Sequence, residues 1–234
     1  VAKCFLEQFG ISVNGHVTCI GGVHASYRYP IDWELLEQQP YHQDYPEGSK
    51  LAAVRCADPD AAEKMISCID QARQDGDSVG GIIEVVCSGL PIGLGSHVQW
   101  DRKLTTRLSA AIMSINAVKG VNIGAGMSAA FLSGEENSDE IRGVGGRTKF
   151  KSNNAGGILG GISSGQIIIA SFAVKPTSSI LTNRETIDKK GKNTKISVKG
   201  RHDPCVGIRA VPIGEAMMAC VLLDHFLLNR AHCG

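Results

Sequence analysis

Glycine is the feature that most limits how this chain can fold. The chain holds 28 glycines among 234 residues, and 18 of them lie between Gly76 and Gly165. Because glycine weakens the interior of helices and strands, this dense band predicts tight turns or backbone that lies close to another group. Two interpretations remain open. One is a series of short turns in an antiparallel sheet, which composition alone favours; the other is a backbone cradle for a cofactor.

Composition and charge narrow the class of protein. Hydrophobic residues make up 43% of the chain and charged residues 20%, which is typical of a globular protein and excludes disorder, collagen and coiled coil. The length suits one large domain or two small ones. The 24 basic residues are balanced by 23 acidic ones, so the chain lacks the basic surplus of a general nucleic-acid binder.

The cysteines and the apolar runs bear on the compartment. The eight cysteines form no CxxC pair and no Cys/His cluster at metal-ligand spacing. This spacing predicts free thiols in a reducing compartment and no metal site. No apolar run reaches the roughly 18 residues of a membrane helix, and no secretory signal is found. We therefore expect a cytoplasmic protein that does not associate with a membrane.

Hydrophobic periodicity predicts a mixture of helices and strands. Helices are expected over residues 1–9, 33–38, 59–75 and 101–119, and from Pro212 onward. Strands are expected over 11–19 with a break near Asn14-Gly15, and over 82–87, 121–123, 127–132, 167–174 and 194–198. Residues 22–58 are expected to be mainly loop, and 134–152 an exposed, mobile loop. Because these signals show no regular βαβ period, they predict an α+β fold with antiparallel sheets.

Capping residues and apolar stripes define the individual helices. Asp58 and Asp101 are expected to cap the two central helices, with Pro59 at the first helical position. The inner face of the last helix is predicted to carry Ile213, Ala216, Met217, Cys220, Leu223 and Leu227.

The first ten residues predict the end of a helix. Val1, Cys4, Phe5 and Phe9 fall on one helical face, and Gly10 is a suitable stop. No N-cap residue or capping box precedes this face, and residue 1 is Val. We therefore expect a helix whose beginning is missing. A processed terminus or a short frayed helix is the alternative.

The glycine-rich segment SNNAGGILGGISSG, residues 152–165, is the first candidate site. It matches neither a P-loop nor a GxGxxG fingerprint. Paired glycines expose consecutive backbone N–H groups, which can form an anion-binding concavity. A turn between packed elements explains the segment equally well.

The segment KPTSS, Lys175–Ser179, is the second candidate. It offers one ammonium, three hydroxyls and several backbone donors directly after an apolar strand, which is the donor set that phosphate prefers. The alternative is a solvated strand end with a proline stop.

The segment GRHDPC, residues 200–205, is the third candidate. Arg201 can bind phosphate or carboxylate in a bidentate manner, and Asp203 or His202 can take part in proton transfer. The alternative is a local Arg–Asp ion pair with an exposed histidine. A fourth string, INAVKG at 115–120, reads by itself as a helix C-terminus with Lys119 placed favourably against the dipole.

Taken in order, these strings resemble the chorismate synthase family. The matching strings are SGLPIGLG, MSINAVKGV, SNNAGGILGGISSG, KPTSSI and GRHDPCVGIRAVP, followed by EAMMACVLLDHFLL. The resemblance runs from Val1 to the last helix, so the chain is expected to be one domain over residues 1–234. It implies a β-α-β sandwich, with antiparallel sheets packed around helices, and a homotetramer.

The resemblance also implies an activity. The family converts 5-enolpyruvylshikimate 3-phosphate to chorismate and phosphate, at the end of the shikimate pathway, by a 1,4-elimination. Reduced FMN is required although there is no net redox change. The cofactor supplies the difficult chemistry, and the protein supplies orientation and charge.

Site residues follow from the same resemblance. Asp203 matches the family's aspartate near the flavin and is expected to assist proton transfer. Arg201 is expected to serve both the flavin and the anionic substrate. The remaining flavin contacts are expected at Asn116, Ala117, Gly160, Lys175, Pro176, Thr177, Ser178 and Ser179.

Several family motifs have no counterpart in this chain. The GESHG-type motif, the two histidines regarded as catalytic and the RSSARET stretch are not found, and none of the seven histidines replaces them by motif. We therefore expect the chain to be incomplete at its amino terminus and inactive by itself. The alternative hypothesis is a non-catalytic fragment that binds flavin phosphate weakly or acts only in oligomer formation.

Overall fold

The computed structural model describes residues 1–27, 30–37, 48–200 and 202–234. In this part of the chain the helices are α1 (Ala2–Glu7), α2 (Trp33–Glu37), α3 (Gly48–Val54), α4 (Pro59–Gln74), α5 (Leu104–Met113), α6 (Gly134–Asn137) and α7 (Gly207–Cys233). The strands are β1 (Ser12–Ile20), β2 (Val23–His24), β3 (Gly81–Ser88), β4 (Val118–Ile123), β5 (Ile141–Val144), β6 (Arg147–Phe150), β7 (Ile158–Leu159), β8 (Ile162–Ser163), β9 (Ile168–Val174), β10 (Arg184–Ile187) and β11 (Asn193–Ile196).

The largest sheet has five strands in the order β2-β1-β3-β9-β4, and three further sheets are two-stranded hairpins among the described residues. The pairs β1–β2, β5–β6, β7–β8 and β10–β11 are antiparallel. Helices and antiparallel ladders therefore confirm the predicted α+β class.

The chain divides into two compact units. The first unit comprises Val1–Gly15, Glu84–Phe172 and Val211–Gly234, and the second comprises His16–Ile83 and Ala173–Ala210. The single domain expected over residues 1–234 stays a prediction.

Helix α5 and its surroundings show how the first unit is packed. Leu104, Leu108 and Ile112 form the buried stripe of α5, as expected for apolar residues four apart. A buried carboxylate, that of Glu215 on α7, is paired with the Lys3 ammonium at 2.9 Å. An ideal β-carbon on Gly15 would lie 3.0 Å from Val211 Cγ1, so β1 and α7 are closely packed at this glycine.

The second unit is organised around α4. The Asp58 side chain accepts hydrogen bonds from the backbone N–H groups of Asp60 and Ala61, and Pro59 occupies the first helical position. Both features confirm the predicted start of this helix. Its buried face holds Ala61, Ala62, Met65, Ile69 and Ala72.

The break predicted in the first strand is wrong, and the helix predicted at the start of the chain is confirmed. β1 continues through Asn14 and Gly15 without a break, because Gly15 provides close approach to α7 rather than a turn. In α1 the buried residue is Leu6, whereas Cys4 is exposed. The helix around Trp33 is confirmed, α3 was missed, and residues 28–29 and 38–47 lie outside the described part.

Three predictions in the glycine-rich region are also wrong. Asp101 does not cap α5; it lies in a 3-10 turn, and Lys103 is the N-cap without a side-chain bond. The strand expected over 127–132 is a 3-10 helix, Gly126–Phe131. The loop expected over 134–152 contains α6, with a capping box from Ser133, and the β5–β6 hairpin. Local hydrogen bonds therefore build regular structure from polar residues.

Helix α7 turns the opposite face inward from the one predicted. Of the six residues expected to face inward, Ile213, Ala216, Cys220 and Leu227 are exposed and the other two half-buried. The buried residues are Val211, Glu215, Met218, Ala219, Leu222, His225 and Phe226. Both faces are apolar, so periodicity does not choose between them; close packing of Gly214 on Phe172 does. The helix also begins at Gly207, five residues before Pro212.

Helix α7 is also the one described helix that is long and apolar enough to cross a membrane, by length and composition alone. The core helix of a globular protein meets the same criterion, and 44% of its most apolar stretch is buried. Glu215 and Asp224 interrupt the stretch, so it is not an unbroken apolar run.

All eight cysteines are free thiols. Burial raises the pKa of Cys87 to about 12 and that of Cys56 to about 11. These two thiols behave as small apolar core groups rather than as nucleophiles.

Candidate functional site

The KPTSS segment lies at the end of β9, in the second unit. Alternate residues of β9 are buried up to Val174, and Lys175 is the first exposed residue after it. Within the described residues, the Lys175 ammonium makes no ion pair, and the hydroxyls of Thr177, Ser178 and Ser179 make no hydrogen bond. This donor set is therefore available to an anion.

A second segment, Gly76–Gly81, holds KPTSS in place. Ser78 Oγ donates a 2.6 Å hydrogen bond to the backbone carbonyl of Thr177, and Leu181 N–H donates to the Gly76 carbonyl at 3.0 Å. An ideal β-carbon on Gly80 would lie 2.6 Å from the Val174 carbonyl oxygen. Only glycine allows the two backbones to lie this close.

The GRHDP segment also lies against Gly76–Gly81. Val79 N–H donates to the Pro204 carbonyl at 2.8 Å, and the half-buried Asp203 carboxylate is paired with Arg209 at 3.1 Å. His202 is exposed, and Arg201 lies outside the described residues.

A cavity of about 400 Å³ forms where these segments meet. It brings together Ser179 and Asp203, two of the predicted site residues. Its lining is Arg73, Gly76, Asp77, Ser78, Ser179, Ile180, Leu181, Gly200, His202, Asp203 and Pro204. The sequence reasoning missed Arg73, Asp77 and Ser78. The Gly-Asp-Ser string at 76–78 marks a turn after α4, but nothing in it indicates a site.

The glycine-rich segment is organised in the first unit by a residue that was also missed, Asp139. Its carboxylate accepts hydrogen bonds from Ser152 Oγ at 2.7 Å, Asn154 N–H at 2.7 Å and Ala155 N–H at 2.9 Å. Burial by itself raises the pKa of Asp139, but these three donors outweigh it, and the net pKa is lowered. The charged carboxylate therefore fixes the entrance to this segment.

The glycines of this segment serve close packing, with one exception. Gly156 packs against the backbone of Gly124, so neither position has room for a β-carbon. Asn153 ties the turn together, since its Oδ1 accepts from Gly157 N–H at 2.8 Å and its Nδ2 donates to the Ile167 carbonyl at 2.8 Å. Gly160, between β7 and β8, is exposed and has open space around it, with φ +60°. Its surroundings leave room for a flat group.

The Asn116-Ala117 turn lies between α5 and β4 in the first unit. Ala117 has φ +71°, a left-handed conformation that is rare for a residue with a β-carbon. Such strain persists where the surrounding structure requires it and is frequent at binding sites. Asn116 is exposed. Lys119 belongs to β4 rather than to a helix end, so INAVKG is not a simple helix C-terminus.

A larger cavity, about 760 Å³, lies in the first unit. None of the predicted site residues lines it, although His97, Arg102 and His225 do. Among the described residues, no group of three or more His, Cys, Asp or Glu side chains could hold a metal ion.

The fold and these segments define an α+β protein with an anion-suited strand end and a rigid glycine-rich loop. A sequence model described as chorismate synthase matches residues 1–227. The chain belongs to the chorismate synthase family.

Relatives agree with this assignment. The chorismate synthase of Roseobacter denitrificans is 53% identical over 225 residues, which is 96% of this chain and 57% of the relative. That of Pelagibacter ubique is 68% identical over 161 residues, covering 69% of this chain and 44% of the relative. A crystal structure of chorismate synthase is 32% identical with a TM-score of 0.73, covering 97% of this chain and 60% of that one. The predicted family and fold are thus confirmed, and the chain spans less than two thirds of these relatives.

Proposed function

We propose that this chain provides part of the cofactor and substrate site of a chorismate synthase, which eliminates phosphate from 5-enolpyruvylshikimate 3-phosphate to give chorismate. The main observation behind this proposal is that the side-chain donors of Lys175–Ser179 make no hydrogen bond or ion pair within the described residues. The chain that carries them matches the family over residues 1–227. The elimination removes a proton from one carbon and phosphate from another. It forms one carbon–carbon double bond without net oxidation, so the enzyme is a lyase.

The residues present fit the flavin phosphate of reduced FMN. Reduced FMN, when bound, supplies electron density that assists the loss of phosphate. Lys175 provides a positive charge, and the hydroxyls of Thr177, Ser178 and Ser179 complete the donor shell, while Pro176 ends the strand. Arg201 is proposed to bind the same anionic region and the substrate.

The family resemblance assigns four further residues to the flavin, namely Asn116, Ala117, Gly160 and Asp203. The strained Asn116-Ala117 turn and the open Gly160 are proposed to leave backbone accessible to a flat ring. Asp203, held by Arg209 at 3.1 Å, is proposed to assist a proton transfer near N5 of that ring.

The remaining proposals come from the family resemblance. We propose a cytoplasmic homotetramer that binds neither nucleic acid nor membrane. We also propose that the 234-residue chain gives no turnover alone, because the family's GESHG-type and RSSARET strings are not among its residues.

A chimera tests the proposed function. The 225 matched residues of the Roseobacter denitrificans relative would be replaced by the corresponding residues of this chain. We expect chorismate formation with reduced FMN and the phosphorylated substrate, and a strong loss in the Lys175→Gln and Asp203→Asn chimeras. The exposed Lys189→Gln is the matched control. An inactive chimera that folds and assembles like the parent would contradict the proposal.

Flavin titration and a turnover assay of the isolated chain test whether it can act without the missing strings, whereas the chimera separates the proposal from a non-catalytic fragment. Weak FMN binding without turnover is the expected behaviour of an incomplete site. Turnover by the isolated chain would show that the missing strings are not required.

A further inference from the structure

The segment Gly76–Gly81 contacts both the KPTSS segment and the GRHDP segment, but no role in the site has been proposed for it. One end bonds to Leu181 through the Gly76 carbonyl, and Val79 N–H bonds to the Pro204 carbonyl. Between them, Ser78 bonds to the Thr177 carbonyl. This segment therefore joins the KPTSS and GRHDP strings, which are separated along the chain.

The Ser78 hydrogen bond determines how one peptide group is oriented. In a trans peptide the carbonyl of one residue and the N–H of the next point in opposite directions. Because Ser78 Oγ lies 2.6 Å from the Thr177 carbonyl oxygen, the Ser178 N–H points away from Ser78. Among the described residues, that N–H makes no hydrogen bond.

The neighbouring residues leave the peptide few other restraints. Pro176 has no N–H and a fixed φ, and the N–H groups of Thr177 and Ser179 have no partner within the described part of the chain. Ser78 is half-buried and Ser178 is exposed. The hydroxyl of Ser78 is thus the polar contact that holds the middle of KPTSS to the folded unit.

We propose that Ser78 is a positioning residue, which turns the Thr177–Ser178 peptide so that Ser178 N–H is presented to a phosphate group bound at KPTSS. The ligand is a phosphate monoester dianion, and this part of the inference rests on the proposed function. Ser78 does not touch the ligand; it acts through the peptide that it orients.

Removal of the hydroxyl tests the orientation without any ligand. In Ser78→Ala, we expect the Ser178 amide NMR signal to move and its hydrogen exchange to change. Ser78→Thr keeps the hydroxyl and should restore both signals. Ser67→Ala is the matched control, since Ser67 Oγ donates to the Glu63 carbonyl at 3.0 Å on the exposed face of α4. Unchanged Ser178 signals in Ser78→Ala would overturn the proposal.

Titration with FMN and with inorganic phosphate, followed at the amide signals of Lys175, Thr177, Ser178 and Ser179, tests the effect of this orientation on binding. In Ser78→Ala, the loss of one oriented donor should weaken the binding of FMN and of phosphate roughly fivefold, as expected for one hydrogen bond. Ser78→Thr and Ser67→Ala should bind both ligands like the wild type. A purely structural role would lower the melting temperature of Ser78→Ala and leave its affinities for FMN and phosphate unchanged.

The two proposals fail in different ways. A wild-type chain whose amides at 175–179 respond to neither anion contradicts the proposed flavin phosphate site and the ligand assigned here. If Ser78→Ala binds both anions as tightly as the wild type, only the role proposed for Ser78 is contradicted, and the proposed flavin phosphate site is not.

Discussion

Arg209 on α7 forms a 3.1 Å ion pair with Asp203, six residues earlier in the chain. Because α7 begins at Gly207, the pair ties the GRHDP segment to the first turn of the helix. The carboxylate proposed to act near the flavin is therefore held by a rigid element rather than by its own loop. The Arg–Asp ion pair weighed from the sequence involved Arg201, which lies outside the described residues.

Arg209→Gln should cost little stability. The Arg209 side chain is 68% exposed and that of Asp203 33%, so the pair contributes less than about 1 kcal/mol to the free energy of unfolding. Urea unfolding of wild type and variant measures this difference, which should vanish in about 1 M salt because exposed charges are screened. A larger, salt-independent loss would mean that Arg209 acts through packing.

Asp139→Asn should destabilise the glycine-rich segment. The substitution removes the charge that three donors share and places an amide N–H₂ where an acceptor is needed, which costs about 1–3 kcal/mol. Hydrogen exchange at Asn154 and Ala155 should increase. The neighbouring Glu140→Gln is the control, since Glu140 is exposed and pairs with Lys151 and Arg142. Equal effects of the two variants would contradict the specific role of Asp139.

His225 should make stability depend on pH. Burial lowers its pKa, with Asp224 raising it and Arg107 lowering it. The unfolded chain then takes up a proton at higher pH than the folded chain, so stability is complete above the unfolded value of about 6.5 and falls as pH decreases toward the folded pKa.

Urea unfolding at several pH values, compared between wild type and His225→Gln, measures this effect. The variant should lose part of the decrease below about pH 6.5, whereas the exposed His232→Gln should retain it. A His225→Gln chain with the wild-type pH profile would rule out this source.

Gly89 and Gly93 should differ sharply when replaced by alanine. Both have positive φ, +79° and +92°. A β-carbon on Gly89 would collide with the Gly10 carbonyl oxygen, whereas one on Gly93 meets nothing within 4 Å. Gly93→Ala should cost about 1–2 kcal/mol from backbone strain, and Gly89→Ala clearly more. Thermal unfolding would show this, and similar losses would mean that the Gly10 backbone yields.

Local patterns predicted some elements well. Asp58 and Pro59 located the start of α4 because capping depends only on neighbouring residues. The strands around Val85 and Ala170 were found because they form continuous apolar runs. Capping failed at Asp101, where the turn bends away before the helix begins.

The candidate site was predictable only in part. KPTSS and GRHDP are chemically distinctive, and the resemblance to the family pointed to them. Asp139 and Ser78 were missed because each acts on residues distant in sequence, Ser78 on Thr177 at a separation of 99 residues. Neither residue's immediate sequence indicates such a distant partner.

The glycine-rich region, Gly76–Gly165, shows the difference between what local sequence determines and what tertiary packing determines. The sequence by itself determined the family, the α+β class and the presence of many turns, because motif strings and hydrophobic periods are local properties. Only the tertiary structure decided which face of α7 is buried and why Gly80 and Gly156 have no side chain. Those positions depend on backbone from distant parts of the chain that lies too close for a β-carbon.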